Sequence, residues 1–455
     1  MKRRIWTLGA ALTSLTALVV VPSALAAYTT AKLEVRQAGT AVTVRATLSP
    51  DDDPTASVRI HAPVGATVTT TQAPGTMLGS VRAVVKALDL GGAEVVRPDI
   101  GGVLPVFVLD RYEGLEPRLL QETTPAERSR YVEANAAALR EHLPADLVFA
   151  NHVLLGAPVA AAAGAPFAVK AHGSELEYSI RGNEELAAWA RRSLAPARAT
   201  FVGSGHIREV LEDVLGHVDR VYEVPPGVDV DEFRPEERGR ALEALLEECR
   251  RDPPNPDNAN ERLPDEGNAE RLAAFFGERS PIVLYFGKLL YNKGVHLLLR
   301  VLPRLGARGL IVGFGDYRAE LEALAPEGTL FTGPLEHRHL VHLLPLVDVA
   351  VVPSIFPEAF GMVAAEAAAA GCPPLVARHS GLAEVAAGLE AEYPAQHREL
   401  ASFATADEDD LAEKLRQLLT LAPEERAELG RAARRAAERR WSWTSVADRL
   451  LEPFH

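Results

Sequence analysis

Two lysines five residues apart, Lys288 and Lys293, stand in the segment Gly287-Lys288-Leu289-Leu290-Tyr291-Asn292-Lys293-Gly294, directly after the apolar run 281–286. A loop that leaves a parallel strand and feeds a helix N-terminus favours anions, through unpaired N–H groups and the helix dipole. Two ammonium groups there suit a diphosphate, each charge-assisted contact contributing roughly 1.5–3 kcal/mol. Alone, the pair equally fits two solvated lysines of a surface loop. Seventy residues further on, Pro357-Glu358-Ala359-Phe360-Gly361-Met362-Val363-Ala364-Ala365-Glu366 carries two glutamates eight apart. Phe360 and Gly361 offer backbone N–H groups, and Glu366 either faces solvent or accepts from hydroxyls such as a ribose diol. Lys170-Ala171-His172-Gly173-Ser174-Glu175 and Asn151-His152 each follow an apolar run, so both histidines sit at strand ends. A lone histidine is more often structural; at a strand's carboxyl end facing a cleft, His172 becomes a site candidate.

These residues need a parallel sheet to bring them together. Short apolar runs at 103–109, 146–150, 166–170, 200–202 and 220–224 alternate with helical patterns such as 125–142. That alternation implies a parallel sheet with right-handed crossovers. Residues 250–270, rich in Pro, Asn, Asp and Glu, read as a solvated linker or surface loop. A second series follows, with strands at 281–286, 309–312, 329–332, 347–352 and 374–376. Helices are expected at 295–304, 316–324, 337–345, 361–370 and from about 423 onward. Two Rossmann-like halves leave a cleft, with ligands at the carboxyl ends of the strands.

The chain has 455 residues, 47% of them hydrophobic, which is material for two to four domains. A formal net charge of −14 argues against a general nucleic-acid binder. Two cysteines, Cys249 and Cys372, make neither a disulfide scaffold nor a Cys-rich zinc site. Residues 1–26 read as a signal peptide or an anchor: Lys2, Arg3 and Arg4, an apolar stretch, then Ala24-Leu25-Ala26. Residues 27–90 read as a short β-rich region of unknown function, and Asp51-Asp52-Asp53-Pro54 within it as a turn, not a metal motif.

The lysine and glutamate motifs, in this order and spacing, resemble glycosyltransferase family 4, a group of retaining enzymes with the GT-B fold. Val312-Gly313-Phe314-Gly315-Asp316, Phe331-Thr332-Gly333-Pro334-Leu335, Asp348-Val349-Ala350-Val351-Val352-Pro353-Ser354 and Ser380-Gly381-Leu382-Ala383-Glu384-Val385 are similar to its phrases. Val224-Pro225-Pro226-Gly227-Val228-Asp229 resembles its hinge segment, with Pro226 where the family has Asn. The resemblance implies an α/β chain with two Rossmann-like domains facing a central cleft: an acceptor-side domain at 101–240, a nucleotide-sugar-binding domain at 281–425, and closing helices at 426–455. It implies that Lys288 and Lys293 hold and neutralise the donor diphosphate, with His172 at the donor sugar. Glu358, Phe360 and Gly361 would contact sugar and phosphate, Glu366 the ribose, and Pro334 with Leu335 the base. Ser204 matches a family serine and reads as structural. The implied reaction is metal-independent transfer of a sugar from a nucleoside diphosphate to a glycan, lipid or small-molecule acceptor, without a further cofactor or nucleic-acid partner, in the cytoplasm or at a membrane face.

One departure stands against this. The family's opening strand and glycine-rich loop are replaced by the signal-like and β-rich segments, as if two sequences join near residues 90–101. Neither Gly91-Gly92 nor Gly101-Gly102 follows a clear strand that leads into a helix. Export would also separate the enzyme from cytosolic nucleotide sugars. Three readings therefore stay open: an active glycosyltransferase, an inactive GT-B-like nucleotide binder, and an exported β-domain protein carrying a truncated glycosyltransferase.

Overall fold

The computed structural model describes residues 96–109, 115–253, 255 and 263–454, together with four strands nearer the N-terminus. The chain divides into two compact units, Met1–Arg97 and Pro98–His455. In the first, Lys32–Ala38 pairs antiparallel with Ala41–Thr47, and Val19–Val21 with Arg59–His61. Apart from Val19–Val21, the signal-like segment lies outside the described residues, as does the turn at Asp51–Asp53.

In the second unit, period-two runs give way to buried strands joined by helices. Ile282–Phe286, Arg308–Val312, Pro374–Ala377 and Val349–Val352 are buried at every position, as expected for a parallel sheet covered on both faces. The sheet has six parallel strands in the order Leu330–Phe331, Arg308–Val312, Ile282–Phe286, Val349–Val352, Pro374–Ala377, Ser402–Phe403. By chain order this is 3-2-1-4-5-6, so the direction of winding reverses between Ile282–Phe286 and Val349–Val352. The last strand, only two residues long, left no signal in the sequence.

A four-stranded parallel sheet holds Val148–Asn151, Phe167–Lys170, Ala199–Val202 and Val221–Glu223 in sequential order. Its helices start on recognisable caps. Thr124 forms a capping box with Glu127 ahead of Pro125–Arg140, and Ser204 caps Gly205–Leu215. The C-terminal helix Trp443–Leu451 returns to this sheet, where Val446 packs with Ala168, Ala199, Phe201 and Val224. Arg434 staples the return, donating to the carbonyls of Val230, Phe233 and Ala369.

Three expectations change. The run at 103–109 is a strand only over Val103–Val106, and it pairs parallel with Glu116–Leu119 in a separate two-stranded sheet. Val108 and Leu109 are exposed and have no sheet face to join. The stretch 250–270 is not a free linker, because the helices Arg238–Arg251 and Asn268–Gly277 frame it. Within it, Asp265 accepts both guanidinium nitrogens of Arg318 (2.8 and 2.7 Å), and its N–H donates to Thr332 O. Asp265 is thus docked onto the helix start at Arg318 and the strand end at Thr332. Finally, the expected boundary at 425/426 falls inside the helix Pro423–Ala436.

Candidate functional site

The loops after Ile282–Phe286 and Val349–Val352 leave adjacent strands at the point where the winding reverses, and both lysines and both glutamates lie on them or on the helix that follows. Gly294 lets these loops touch. It has φ +69°, and a Cβ there would stand 1.9 Å from Pro353 O. Ile355 N–H donates to Asn292 O at 2.9 Å across the same contact. Gly361 opens the helix Met362–Ala369 at φ +122°, with Leu382 2.5 Å from where a Cβ would sit. Any side chain at Gly361 would push that helix start off its neighbour.

The four charged side chains fare differently. Lys288 is exposed and makes no side-chain hydrogen bond or ion pair among the described residues; its backbone O accepts the Tyr285 hydroxyl at 2.7 Å. Lys293 Nζ lies 2.5 Å from Glu358 Oε1, joining the two motifs directly. Glu366 is half-buried, and its side chain makes no hydrogen bond or ion pair among the described residues. Burial pushes its carboxyl above the usual range, partly offset by His337. Phe360 is buried edge-on against Trp441, so only its backbone is available to a ligand. Leu335 is buried in the core and offers no face to a base, whereas Pro334 is half-buried.

Sequence reasoning missed the support behind Glu358. Ser380 Oγ accepts the Glu358 N–H at 2.8 Å and lies 2.9 Å from His379 Nδ1. His379 Nε2 lies 2.7 Å from Ser354 O, a pure acceptor, so Nε2 carries the proton and Nδ1 accepts from the serine. The chain Ser354–His379–Ser380–Glu358 fixes the loop. Ser380 at φ +44° was the available hint, since a non-glycine residue there is uncommon.

On the N-terminal side His172 follows Phe167–Lys170 as expected, with Nε2 3.2 Å from Asn151 Oδ1. Its ring contacts that of His152, centroids 4.4 Å apart. Burial, then His152, pulls the His172 pKa down to about 4 against the opposing effect of Glu175, leaving it neutral near pH 7. The next residue, Gly173, approaches Ala359 of the glutamate loop, 3.7 Å from Cβ to Cβ if it carried one. Ser204 does more than cap its helix: its hydroxyl donates to Ala359 O at 2.7 Å. Glu384 accepts the His206 N–H at 3.3 Å from the opposite half. Neither cross-link was legible, because each joins residues more than 150 positions apart.

Among the described residues, Cys249, Asp252 and His339 come within 4.8 Å of one another. They suit a metal poorly. His339 Nδ1 accepts the Glu336 N–H at 3.2 Å, so the proton sits on Nε2, the atom that would have to ligate. Burial also pushes the Cys249 thiol up to about 12, far from the thiolate a metal needs.

Two family models match this architecture. Residues 110–232 match Glycosyltransferase Family 4, and residues 269–436 match Glycosyl transferases group 1. The chain is thus similar to the family 4 group of glycosyltransferases and has the GT-B fold. A D-inositol 3-phosphate glycosyltransferase of Xylanimonas cellulosilytica is 30% identical over 262 residues, 54% of this chain and 55% of the relative. A glycogen synthase of Mycobacterium tuberculosis is 42% identical over 112 residues, 22% of this chain and 27% of its own. This chain thus spans about half of the first of these relatives and about a quarter of the second. The fold likeness extends to sucrose-phosphate synthase of Thermosynechococcus elongatus, TM-score 0.54 at 18% identity, covering 77% of this GT-B chain and 85% of that one. HepE of Anabaena, solved in complex with UDP and glucose, gives 0.55 at 16% identity, covering 75% and 86%.

Proposed function

We propose that this GT-B chain transfers a sugar from a nucleoside diphosphate to an acceptor hydroxyl with retention of configuration and without a metal ion. The observation that carries the reading is the placement of Lys288, Lys293, Glu358, Gly361 and Glu366 on two touching loops at the switch point of a 3-2-1-4-5-6 sheet. That position binds nucleotides because the loops diverge there and expose N–H groups. Lys288, whose side chain makes no hydrogen bond or ion pair among the described residues, meets the diphosphate, and Lys293 leaves Glu358 to join it. Glu358 is then free to accept from sugar hydroxyls, and half-buried Glu366 from the ribose diol. The two ammonium groups stabilise the leaving diphosphate, the work a divalent cation does elsewhere. The reading has the leaving diphosphate take the acceptor proton on the same face.

UDP, GDP and ADP are the probes, since HepE is solved with UDP and one relative, 26% identical over 325 residues, is named a GDP-mannose-dependent mannosyltransferase. Titration calorimetry of the full chain with each diphosphate tests the donor site. Binding of one of them, weakened in Lys288→Ala, is the expected result; binding of none overturns the proposal. Binding without transfer across sugar donors and acceptors would instead assign a nucleotide-binding protein that does not turn over. Within this reading, 101–240 is the acceptor-side domain, 281–425 the donor-side domain, and the helices beyond close the chain back onto the first.

A further inference from the structure

The N-terminal cleft wall holds an arrangement that donor binding does not use. Glu175 is fully buried. Its Oε2 accepts the N–H groups of Val153 (2.8 Å) and Leu154 (3.2 Å), and its Oε1 accepts that of His172 (3.0 Å). One carboxylate therefore ties together the turns that leave Val148–Asn151 and Phe167–Lys170. Between the bonded residues sits His152, in the left-handed region at φ +71°. A β-carbon-bearing residue held there costs on the order of 1–3 kcal/mol, and such strain collects at functional positions. The strand has already ended, and His152 opens the π-turn His152–Gly156 in this conformation.

The ring of His152 lies between Phe107 (centroids 4.7 Å) and His172 (4.4 Å). Its Nδ1 is sealed from solvent without a hydrogen-bond partner, and it faces Glu175 Oε1 at 3.7 Å. A buried imidazole lone pair aimed at a carboxylate would be repulsive, so the proton belongs on Nδ1. The side chain as a whole remains 31% exposed, so the rest of the ring is accessible.

We propose that Glu175 is a positioning residue that fixes the His152 turn and holds the ring proton on Nδ1, so that Nε2 presents a lone pair to a hydroxyl of the acceptor substrate. This rests on the transfer reading above. His172 takes the opposite tautomer, since Asn151 Oδ1 claims a proton on its Nε2. The wall then carries two touching imidazoles, with Nδ1–H on one and Nε2–H on the other. Such a wall recognises an uncharged polyol hydroxyl and gives a phosphate no countercharge.

The test begins on the unmodified full chain, uniformly 15N-labelled at histidine, with ring tautomers read by two-bond 15N–1H correlation at pH 7. The His152→Asn and His172→Asn variants assign the two rings. His152 is expected to show protonated Nδ1 and bare Nε2, and His172 the reverse. A protonated Nε2 on His152 overturns the proposal, whether or not any variant folds. Glu175→Gln, which cannot accept all three N–H groups and face Nδ1–H as an anion, is expected to shift His152 towards Nε2–H. It should lower kcat with acceptor by roughly 10–100-fold, the usual cost of losing an orienting partner. The affinity for whichever of UDP, GDP and ADP binds the unmodified chain should change less than about twofold, as expected for sites without shared partners. An unchanged His152 tautomer in a folded Glu175→Gln overturns the positioning role. Failure of all three diphosphates to bind the unmodified chain overturns the transfer reading instead and leaves the tautomer result to judge the dyad.

Discussion

On the C-terminal wall of the cleft, Lys288 and Glu366 make no side-chain hydrogen bond or ion pair among the described residues, and Lys293 and Glu358 are occupied only with each other. On the N-terminal wall Glu175 accepts three backbone N–H groups and the two histidines are neutral or tied to neighbours. Both walls are loops at the carboxyl ends of parallel strands. The first keeps charge in reserve and the second has neutralised or buried it. A wall with spare cations and carboxylates suits a diphosphate and its sugar, and a wall of fixed imidazoles suits a hydroxyl. The one cleft is thereby divided by electrostatics as well as by domain.

The comparison breaks most directly at the lysines. Replacing both Lys288 and Lys293 by Ala should weaken diphosphate binding by roughly 100-fold or more, measured by calorimetry, because two charge-assisted contacts are lost. Binding that survives the double substitution would remove the charged wall from the account. Next in size, Gly294→Ala forces a Cβ to within 1.9 Å of Pro353 O at a left-handed φ. It should destabilise the chain by about 2–4 kcal/mol in denaturant unfolding, with the two donor loops separating.

The neutral wall gives a pH signature. His172 has a folded pKa of about 4, below its ordinary value. Between there and about 6.5 the unfolded chain binds the extra proton, so stability falls as pH drops through that window and is unaffected above it. His172→Asn should flatten the decline by about 1–3 kcal/mol. The carboxyls of Glu366 and Glu384, raised by burial, act with the opposite sign, so the difference between the two proteins is the quantity to read. An identical acid limb in both would show that His172 protonates freely in the folded state. Smallest is the Lys293–Glu358 coupling. With both side chains partly exposed, a double-mutant cycle with Lys293→Met and Glu358→Gln should return about 1 kcal/mol.

The sequence by itself determined the two strand series and the strand ends that carry His172, Lys288 and Glu358; that Gly294 and Gly361 must be small came from their positive φ and close neighbours. Periodicity and loop chemistry are local, so they can be read along the chain. The sequence left open whether Lys288 is a solvated loop lysine and whether Glu366 faces solvent or a hydroxyl. It could not show that Asp265, in the polar run 250–270, is taken up by Arg318 some 50 positions later. It read Ser204 only as structural and gave His379, Ser380 and Glu384 no role of their own. Only the tertiary structure decided those, along with the seat of the C-terminal helix on the first sheet and the burial of Glu175 between two histidine turns. Each depends on which loops the parallel crossovers bring side by side, and a hydrogen bond across that gap leaves no periodic mark on either partner.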